Sequence, residues 1–211
     1  MTDQASPLLN PGISAVILAG GKSQRLGTDK ALLELAGQPL LARAVHRLAV
    51  LSDDLIVVTN NRDVYEHLGL NVRFVPDEQP GQGALMGIYS GLKAALHDSA
   101  IAVACDMPFV SVPLLQHMLP RIASCDVVIP RFDELWEPLH ALYGKGCLAS
   151  MAAVLAQGRR QIVSFFGDVK VCYVQQPVVD RFDPLHMAFM NVNTKADWRL
   201  AQKMLERPEL A

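Results

Sequence analysis

The chain has 211 residues, 51% of them hydrophobic, and its 19 basic and 21 acidic side chains leave a formal net charge of -2. This length and apolar content supply one sizeable core and predict a single domain over residues 1–211. The near-neutral charge excludes a global field that draws the protein to nucleic acid or an anionic membrane, so we expect neither as a partner.

The amino-terminal residues show no leader pattern, and no apolar run reaches the roughly 18 residues of a membrane span, which predicts a cytoplasmic protein. Cys105, Cys125, Cys147 and Cys172 are scattered without the spacing of a zinc site. We therefore expect a reducing compartment with buried thiols, and neither disulfides nor a thiolate metal site.

Short β-branched runs alternate with helical patterns through the first 130 residues. Buried parallel strands read as continuous apolar runs because helices cover both faces of the sheet. The alternation therefore predicts an α/β fold with three layers and a mostly parallel central sheet. The predicted strands span 14–19, 55–59, 72–75, 101–104 and 127–129, and the predicted helices span 39–50, 64–68, 85–97 and 113–122.

The order of elements becomes less regular after residue 130. The pattern predicts strands over 139–143 and 169–174, a helix over 145–157 and a short helix over 161–166. A last helix is predicted over Lys195–Leu205, where Thr194 and Asp197 have the spacing of a helix start with a capping partner.

A glycine pair and two basic residues follow the first strand, in the segment AVILAGGKSQRLGTDKA over residues 15–31. Glycine lets backbone N–H groups approach a phosphate closely, and Arg25 and Lys30 can neutralise a polyanion. In open α/β sheets ligands bind beyond the carboxyl ends of the strands. The segment therefore predicts a triphosphate site.

Two familiar phosphate motifs are absent from this loop. A Walker loop needs lysine after its last glycine, but Thr28 follows Gly27, and the run Gly20-Gly21-Lys22 breaks the dinucleotide fingerprint. The glycine pair alone is more typical of a solvated surface turn. Arg25 and Lys30 together favour phosphate binding.

Asp106 ends the predicted strand over 101–104, in the segment IAVACDMPF. Chemistry on a nucleoside triphosphate normally needs Mg²⁺, which takes carboxylate oxygens and substrate phosphates as ligands. Asp106 is the best candidate ligand. The alternative is an aspartate that caps the helix near Pro113 or closes a turn before Pro108.

The segment LAGGKSQRLGTDK over 18–30 resembles the signature LAGGxSxRMGxDK of the molybdenum cofactor guanylyltransferases, with Leu26 in the usual Met position. These are nucleotidyltransferases with a glycosyltransferase-A-like Rossmann fold. The resemblance implies nucleotide contacts from the loop and a magnesium-binding aspartate at Asp106, and LAGG rather than LAAG favours GTP over CTP. The implied contacts come from Leu18, Ala19, Gly20 and Gly21, with Arg25 and Lys30 on the phosphates.

Two further residues are candidates for the nucleotide. The segment GQGALMG over 81–87 resembles the family's GPLAG turn, and the resemblance implies that Asp77 contributes to nucleotide binding. A turn aspartate is the alternative. Asn60 and Asn61 follow the second strand and could hydrogen-bond a guanine or a ribose, while the family's asparagine falls in direct register on Thr59.

Three segments of the second half also resemble the family: EPLHALY over 137–143, GRRQ over 158–161 and FMNVNT over 189–194. The likeness therefore spans nearly the whole chain. We divide it into a nucleotide-binding half over about 13–130 and an acceptor-binding half over about 131–211. The acceptor candidates are His140, Arg159, Arg160, Asn191 and Asn193. Two alternatives remain, because a lone histidine on a strand is more often a packing residue and an arginine pair is also typical of a solvated helix end.

The resemblance implies transfer of GMP from GTP to the molybdopterin form of the molybdenum cofactor, with Mg²⁺ as cofactor and Arg25, Lys30 and Asp106 as catalytic residues. Molybdenum-insertion proteins and molybdoenzyme chaperones are the expected protein partners. The alternatives are a nucleotidyltransferase that uses CTP or activates another small phosphate such as a sugar phosphate, and a non-catalytic nucleotide-binding module.

Overall fold

A computed structural model of the protein describes residues 12–20, 29–132 and 135–206. Ten strands and seven α-helices are assigned within these ranges. The strands are β1 (Ser14–Leu18), β2 (Glu34–Leu35), β3 (Gln38–Pro39), β4 (Asp54–Val58), β5 (Arg73–Val75), β6 (Ser99–Ala104), β7 (Val127–Phe132), β8 (Leu135–Trp136), β9 (His140–Gly144) and β10 (Val171–Gln175). The helices are α1 (Leu40–Leu48), α2 (Arg62–Tyr65), α3 (Ala84–Ala94), α4 (Val112–Met118), α5 (Leu148–Ala156), α6 (Gln176–Val179) and α7 (Lys195–Leu205).

The main sheet has the strand order β10-β7-β9-β6-β1-β4-β5, with β8 paired to the end of β7. β1 lies between β6 and β4, parallel to both, and Leu18 is in register with Ala104 and Val58. β9 runs antiparallel to its neighbours β6 and β7. The carboxyl ends of β1, β4, β5 and β6 therefore meet at one edge of the sheet, and the mostly parallel α/β fold predicted from the sequence is confirmed.

Two hydrophobic clusters cover the two faces of this sheet, which makes the fold three-layered. On one face α1 buries Leu41, Val45 and Leu48 against alternate residues of β1 and β6. On the other face Leu85, Ile88 and Leu92 of α3 pack with the intervening strand residues. Among the helices of the described ranges, none has the length and apolar content needed to cross a membrane.

The structure contains a strand or a helix at each position where the sequence predicts one, but the ends of these elements differ and some of the helical turns are 3₁₀. The helix predicted over 113–122 is α-helical only to Met118 and continues as a 3₁₀ helix over Leu119–Ser124. Pro120 lacks an N–H and crowds the preceding turn, so the α-helical bonding pattern cannot continue through it. The predicted cap of α7 is present, because the Thr194 hydroxyl accepts from the N–H of Asp197 and the Asp197 carboxylate accepts from the N–H of Thr194.

A disulfide joins Cys125 and Cys172, with 6.0 Å between their Cα atoms, so the expectation of four free thiols is wrong. Cys172 lies in β10, and Cys125 precedes β7 by two residues. β7 and β10 are parallel neighbours, which brings the two cysteines together across 47 residues of sequence. Cys105 and Cys147 are free and buried.

His140 on β9, which the sequence predicts as an acceptor contact, is fully buried in the structure. Its Nε2 accepts a hydrogen bond of 3.1 Å from the N–H of Ser111, and its ring lies 5.3 Å from that of Phe189. Since Nε2 is an acceptor, Nδ1 carries the proton, and Nδ1 is buried without a partner in the described part of the chain. Burial lowers the pKa of His140 to about 4. His140 is therefore a neutral packing residue.

The close approach of α3 to the sheet depends on Gly91. A Cβ at this position would lie 2.4 Å from Val16 Cγ1 and 3.0 Å from Val58 Cγ2. Both valines are β-branched residues in central strands and have little rotamer freedom. At Gly87, one turn earlier, a Cβ would lie 3.0 Å from the flexible end of Leu18.

Replacing Gly91 with alanine is expected to lower the free energy of unfolding by about 1–2 kcal/mol, because a contact of 2.4 Å places the overpacking cost in the upper part of its range of about 1–3 kcal/mol, above the gain of about 1 kcal/mol in helix propensity. Gly87→Ala is the matched control, with an expected change within about 0.5 kcal/mol. Urea unfolding of the two variants measures the difference. Equal stabilities would contradict the packing role of Gly91.

Acid is expected to destabilise the protein through His140. The His140 imidazole takes up a proton near pH 6.5 in the unfolded chain and only near pH 4 in the folded protein. The free energy of unfolding is therefore highest above pH 6.5 and falls as the pH drops toward 4. The loss reaches about 2 kcal/mol at pH 5. In His140→Gln, where the amide oxygen can still accept from Ser111, this part of the loss disappears. The urea unfolding midpoints of the unmodified protein and of His140→Gln, each at pH 7 and pH 5, measure this difference. An equal loss of stability in the two proteins between pH 7 and pH 5 would rule out the role of His140.

Candidate functional site

Polar residues follow four adjacent parallel strands at the carboxyl edge of the sheet. The N–H of Cys105 donates to the carbonyl of Leu18, and the N–H of Ala19 donates to the carbonyl of Val58, so the backbone stays paired to the point where β1 ends. Gly20 is exposed just beyond. The predicted loop residues Leu18, Ala19 and Gly20 therefore lie at the middle of this edge, and Gly21 and Arg25 lie outside the described residues.

Lys30 joins three segments that are distant in sequence. Its Nζ lies 3.0 Å from Asp106 Oδ2 and also donates to Asn193 Oδ1. The side chains of Lys30 and Asp106 are 22% and 17% exposed, so the ion pair borders solvent and remains open to a ligand. Three predicted site residues, one from each segment, thus converge beyond β1 and β6.

Asn193 is held in place by the cap of α7. Its N–H donates to Asp197 Oδ2 at 3.0 Å, and the neighbouring N–H of Val192 donates to the carbonyl of Asp106 at 2.9 Å. The hydrogen bond from the Asn193 N–H keeps the pKa of Asp197 below its usual value. The segment 189–194 is therefore fastened directly to the loop that carries Asp106.

Two arginines that the sequence interpretation missed support the same loop. Arg43 Nε donates to the carbonyl of Pro108 at 3.0 Å, and Arg47 Nη1 donates to that of Val110 at 3.2 Å. Burial lowers the pKa of both guanidinium groups. Their spacing of four residues on α1 places both on one helix face, and that spacing is the signal that could have identified them.

Asp77 and Asn60 form a second polar pair, further along the edge. Asn60 Nδ2 donates to Asp77 Oδ2 at 3.2 Å, and the N–H of Asp77 donates to Asn60 Oδ1 at 3.1 Å. Asp77 Oδ1 is buried and has no hydrogen-bond partner among the described residues. Burial raises the pKa of this carboxyl group, and the bond from Asn60 partly offsets the effect. The pair has an unused acceptor.

The two polar centres lie far apart. β6 and β5 are separated by β1 and β4, and three interstrand spacings place the carboxyl ends of these two strands about 14 Å apart along the edge. The first turn of α3 lies beside Asp77, since a Cβ at Gly87 would lie 3.5 Å from Asp77 Oδ1. The helix begins after Gly83, which adopts a φ of 84°. This separation fits an elongated ligand with a polar group at each end.

Asp29 and Tyr65 form a third pair, which the sequence interpretation did not assign. Tyr65 Oη donates to Asp29 Oδ2 at 2.6 Å, and Asp29 Oδ1 accepts from the N–H of Ala31 at 3.0 Å. Asp29 thereby caps the 3₁₀ helix Lys30–Leu32. The signal was present, because Asp29 belongs to the signature segment over 18–30.

The predicted acceptor residues are dispersed. Asn191 is exposed on the same segment as Asn193, and its Nδ2 donates to the carbonyl of Phe189. Arg159 and Arg160 are exposed after α5, and no described contact joins them to Lys30 or Asp106. The structure therefore brings Asn193 to the centre, leaves Asn191 beside it, and does not bring the arginine pair to it.

The residues at the centre are compatible with a magnesium ion that arrives with a substrate. No three His, Cys, Asp or Glu side chains converge on a metal-sized position within the described ranges. Mg²⁺ keeps several waters and binds through one or two carboxylates together with substrate phosphates. Asp106 provides such a carboxylate at the surface, and Asn193 Oδ1 lies near it.

Most of the chain is similar in sequence to known proteins. The family model described as "MobA-like NTP transferase domain" matches residues 15–170. A probable molybdenum cofactor guanylyltransferase from Pelotomaculum thermopropionicum is 36% identical over 194 residues, which cover 92% of this chain and 93% of the relative. A molybdenum cofactor guanylyltransferase from Syntrophotalea carbinolica is 36% identical over 191 residues, covering 88% of this chain and 90% of the relative.

Solved structures agree with this relationship. The crystal structure of molybdopterin-guanine dinucleotide biosynthesis protein A from Archaeoglobus fulgidus has a TM-score of 0.80 and 27% identity, and the match covers 92% of this chain and 99% of that one. A 4-diphosphocytidyl-2C-methyl-D-erythritol synthase from Anaerococcus prevotii shares the fold, with a TM-score of 0.67 and 19% identity over 94% of this chain and 97% of its own. With sequence and fold in agreement over most of its length, the chain belongs to the family of the MobA-like NTP transferase domain.

Proposed function

We propose that this chain transfers GMP from GTP to the molybdopterin form of the molybdenum cofactor, giving the guanine dinucleotide cofactor and pyrophosphate. The names of the relatives and the signature over residues 18–30 support this reaction. The observation that carries it is the convergence of Lys30, Asp106 and Asn193, because it combines a phosphate-binding cation, a metal-binding carboxylate and a polar group from the second half of the chain.

The Asp77–Asn60 pair is the proposed guanine site. Guanine presents two adjacent donors, N1–H and the 2-amino group, and Asp77 Oδ2, which takes one bond from Asn60 Nδ2, can accept a second. Cytosine presents two acceptors and one donor at the corresponding edge, so it matches this carboxylate less well. The pair therefore favours GTP over CTP.

The triphosphate is proposed to extend from Asp77 toward Lys30. Backbone N–H groups after β1 and the ammonium group of Lys30 bind its oxygens, and we assign the same role to Arg25. Asp106 would hold Mg²⁺, which would supply charge neutralisation at the α-phosphate. Lys30 stabilises the negative charge that develops on the leaving pyrophosphate, so its contribution increases as the reaction proceeds.

The acceptor brings its own nucleophile. The terminal phosphate of molybdopterin is ionised at neutral pH, so one of its oxygens can form the new bond to the α-phosphorus without a general base. The bond between the α-phosphorus and the bridging oxygen to the β-phosphorus breaks, and that oxygen leaves with pyrophosphate. The protein acts by positioning and electrostatics. Asn191 and Asn193 are the proposed acceptor contacts nearest the centre, with Arg159 and Arg160 further out.

This reaction assigns roles to the two halves of the chain, with residues 13–130 for the nucleotide and 131–211 for the acceptor. Lys30 and Asn193 connect the halves at the centre. We place the reaction in the cytoplasm, where molybdenum-insertion proteins and molybdoenzyme chaperones would receive its product.

Incubation of the protein with GTP, Mg²⁺ and molybdopterin is expected to yield the guanine dinucleotide product, detected by mass, and one pyrophosphate per product. Asp106→Ala is expected to lower the rate at least about a hundredfold, because it removes the metal-binding carboxylate. Any loss of stability should be small beside this loss of rate, since the ion pair with Lys30 borders solvent. Asp168→Ala, at an exposed carboxylate elsewhere, is the control. Near-normal turnover in a folded Asp106→Ala variant would contradict the metal assignment.

Replacing Asp77 with asparagine is expected to weaken GTP binding about 10- to 100-fold, because a donor then faces the donors of guanine. CTP binding should stay unchanged or improve. Calorimetry with the two nucleotides measures the ratio. Glu78→Gln is the matched control, because Glu78 is exposed and pairs with Lys93 at 2.6 Å. Tighter binding of CTP than GTP by the unmodified protein would overturn the guanine assignment.

A further inference from the structure

Tyr65 has a buried ring, and its hydroxyl group donates a hydrogen bond to the carboxylate of Asp29. The residue is 2% exposed and packs in the core cluster on the α1 face of the sheet. Its hydroxyl donates to Asp29 Oδ2 at 2.6 Å, across 36 residues of sequence. Burial raises the pKa of Tyr65 above its usual value and the Asp29 carboxylate raises it further, so the hydroxyl remains a donor at neutral pH.

Asp29 passes this constraint to the backbone that carries Lys30. Its Oδ1 accepts from the N–H of Ala31, and its Oδ2 is held by Tyr65, so the two carboxylate oxygens fix the segment on both sides of Lys30. The N–H of Leu32 also returns to the carbonyl of Asp29 at 3.1 Å. A lysine side chain is long and flexible, and the position of its Cα decides which partners its ammonium group reaches.

We propose that Tyr65 is a positioning residue whose hydroxyl group, acting through Asp29, holds Lys30 so that its ammonium group lies at Asp106 and Asn193. The identity of the bound phosphate rests on the function proposed above. Tyr65 itself touches no reacting atom, so its contribution passes through Lys30.

The hydroxyl group separates this role from simple core packing. Phenylalanine keeps the ring in the core and removes the hydroxyl group, which leaves Asp29 Oδ2 without its partner and also removes the contact of that hydroxyl with the Thr59 side chain. A packing residue would change stability without distinguishing between ligands. A positioning residue changes the binding of the phosphates and spares the binding of the base.

Calorimetric titration of Tyr65→Phe with GTP and with guanosine tests this distinction. GTP binding is expected to weaken about tenfold, the effect of losing an ordered bond to a charged group, while guanosine binding stays unchanged. The rate of pyrophosphate release at saturating substrates should fall by a similar factor. Tyr89→Phe on α3 is the matched control and should change neither, since Tyr89 lies near Lys93 and outside the site. Equal weakening of both ligands, or of neither, would overturn the proposal.

A double-mutant cycle with Lys30→Ala tests whether the effect passes through Lys30. In the Lys30→Ala background, Tyr65→Phe is expected to cause no further loss of GTP affinity, and a further tenfold loss would overturn the proposal. If Tyr65→Phe does not fold, Asp29→Ser serves instead, because the serine hydroxyl can still accept from the N–H of Ala31 but is too short to reach Tyr65, and it is expected to show the same GTP-selective loss. The binding assays are informative even if the protein releases no pyrophosphate, a result that would overturn the proposed function alone.

Discussion

The site depends on one ammonium group that is shared between a carboxylate and an amide. Lys30 reaches Asp106 and Asn193, which are 76 and 163 residues away in sequence, so the site forms only when the first loop, the end of β6 and the start of α7 have all assembled. The ion pair also cancels two opposite charges at the place where a polyanion is proposed to bind. Without Lys30, the carboxylate of Asp106 would repel phosphate, and without Asp106 the ammonium group would keep only its hydrogen bond to Asn193.

The opposite edge of the sheet provides the rigidity that this arrangement requires. Asp54 is buried there and accepts from Ser14 on β1, from Arg73 on β5 and from the N–H of Leu96 after α3. Burial opposes its charge, but these donors together hold its pKa below the usual value. Because both carboxylate oxygens of Asp54 accept hydrogen bonds, they hold β1, β4, β5 and the segment after α3 together at the amino edge of the sheet. Their carboxyl ends can therefore carry exposed loops and unpaired polar groups.

Features encoded by local patterns could be predicted from the sequence, and features decided by strand order could not. Apolar periodicity identified the main strands and helices, and the placement of Asp106 after a buried strand identified its edge. The insertion of β9 between β6 and β7 is set by long-range pairing, and no local pattern specifies it. That insertion buries His140, while the β7–β10 pairing joins Cys125 to Cys172. The sequence offers both His140 and Asn193 as polar site candidates. Only the topology of the sheet shows that His140 is buried and Asn193 is exposed.

The turn after β4 connects the two ends of the proposed nucleotide site. Asn60 reaches Asp77 at the base end, and the neighbouring Thr59 is buried, with its hydroxyl accepting from the N–H of Asn61. The same turn leads into α2, whose Tyr65 holds Asp29 at the phosphate end. The family's asparagine falls on Thr59, and in this chain a small buried hydroxyl occupies that place while Asn60 contacts Asp77. One short turn therefore sets the positions of both polar ends, so a change in its backbone shifts the base contact and the phosphate contact together.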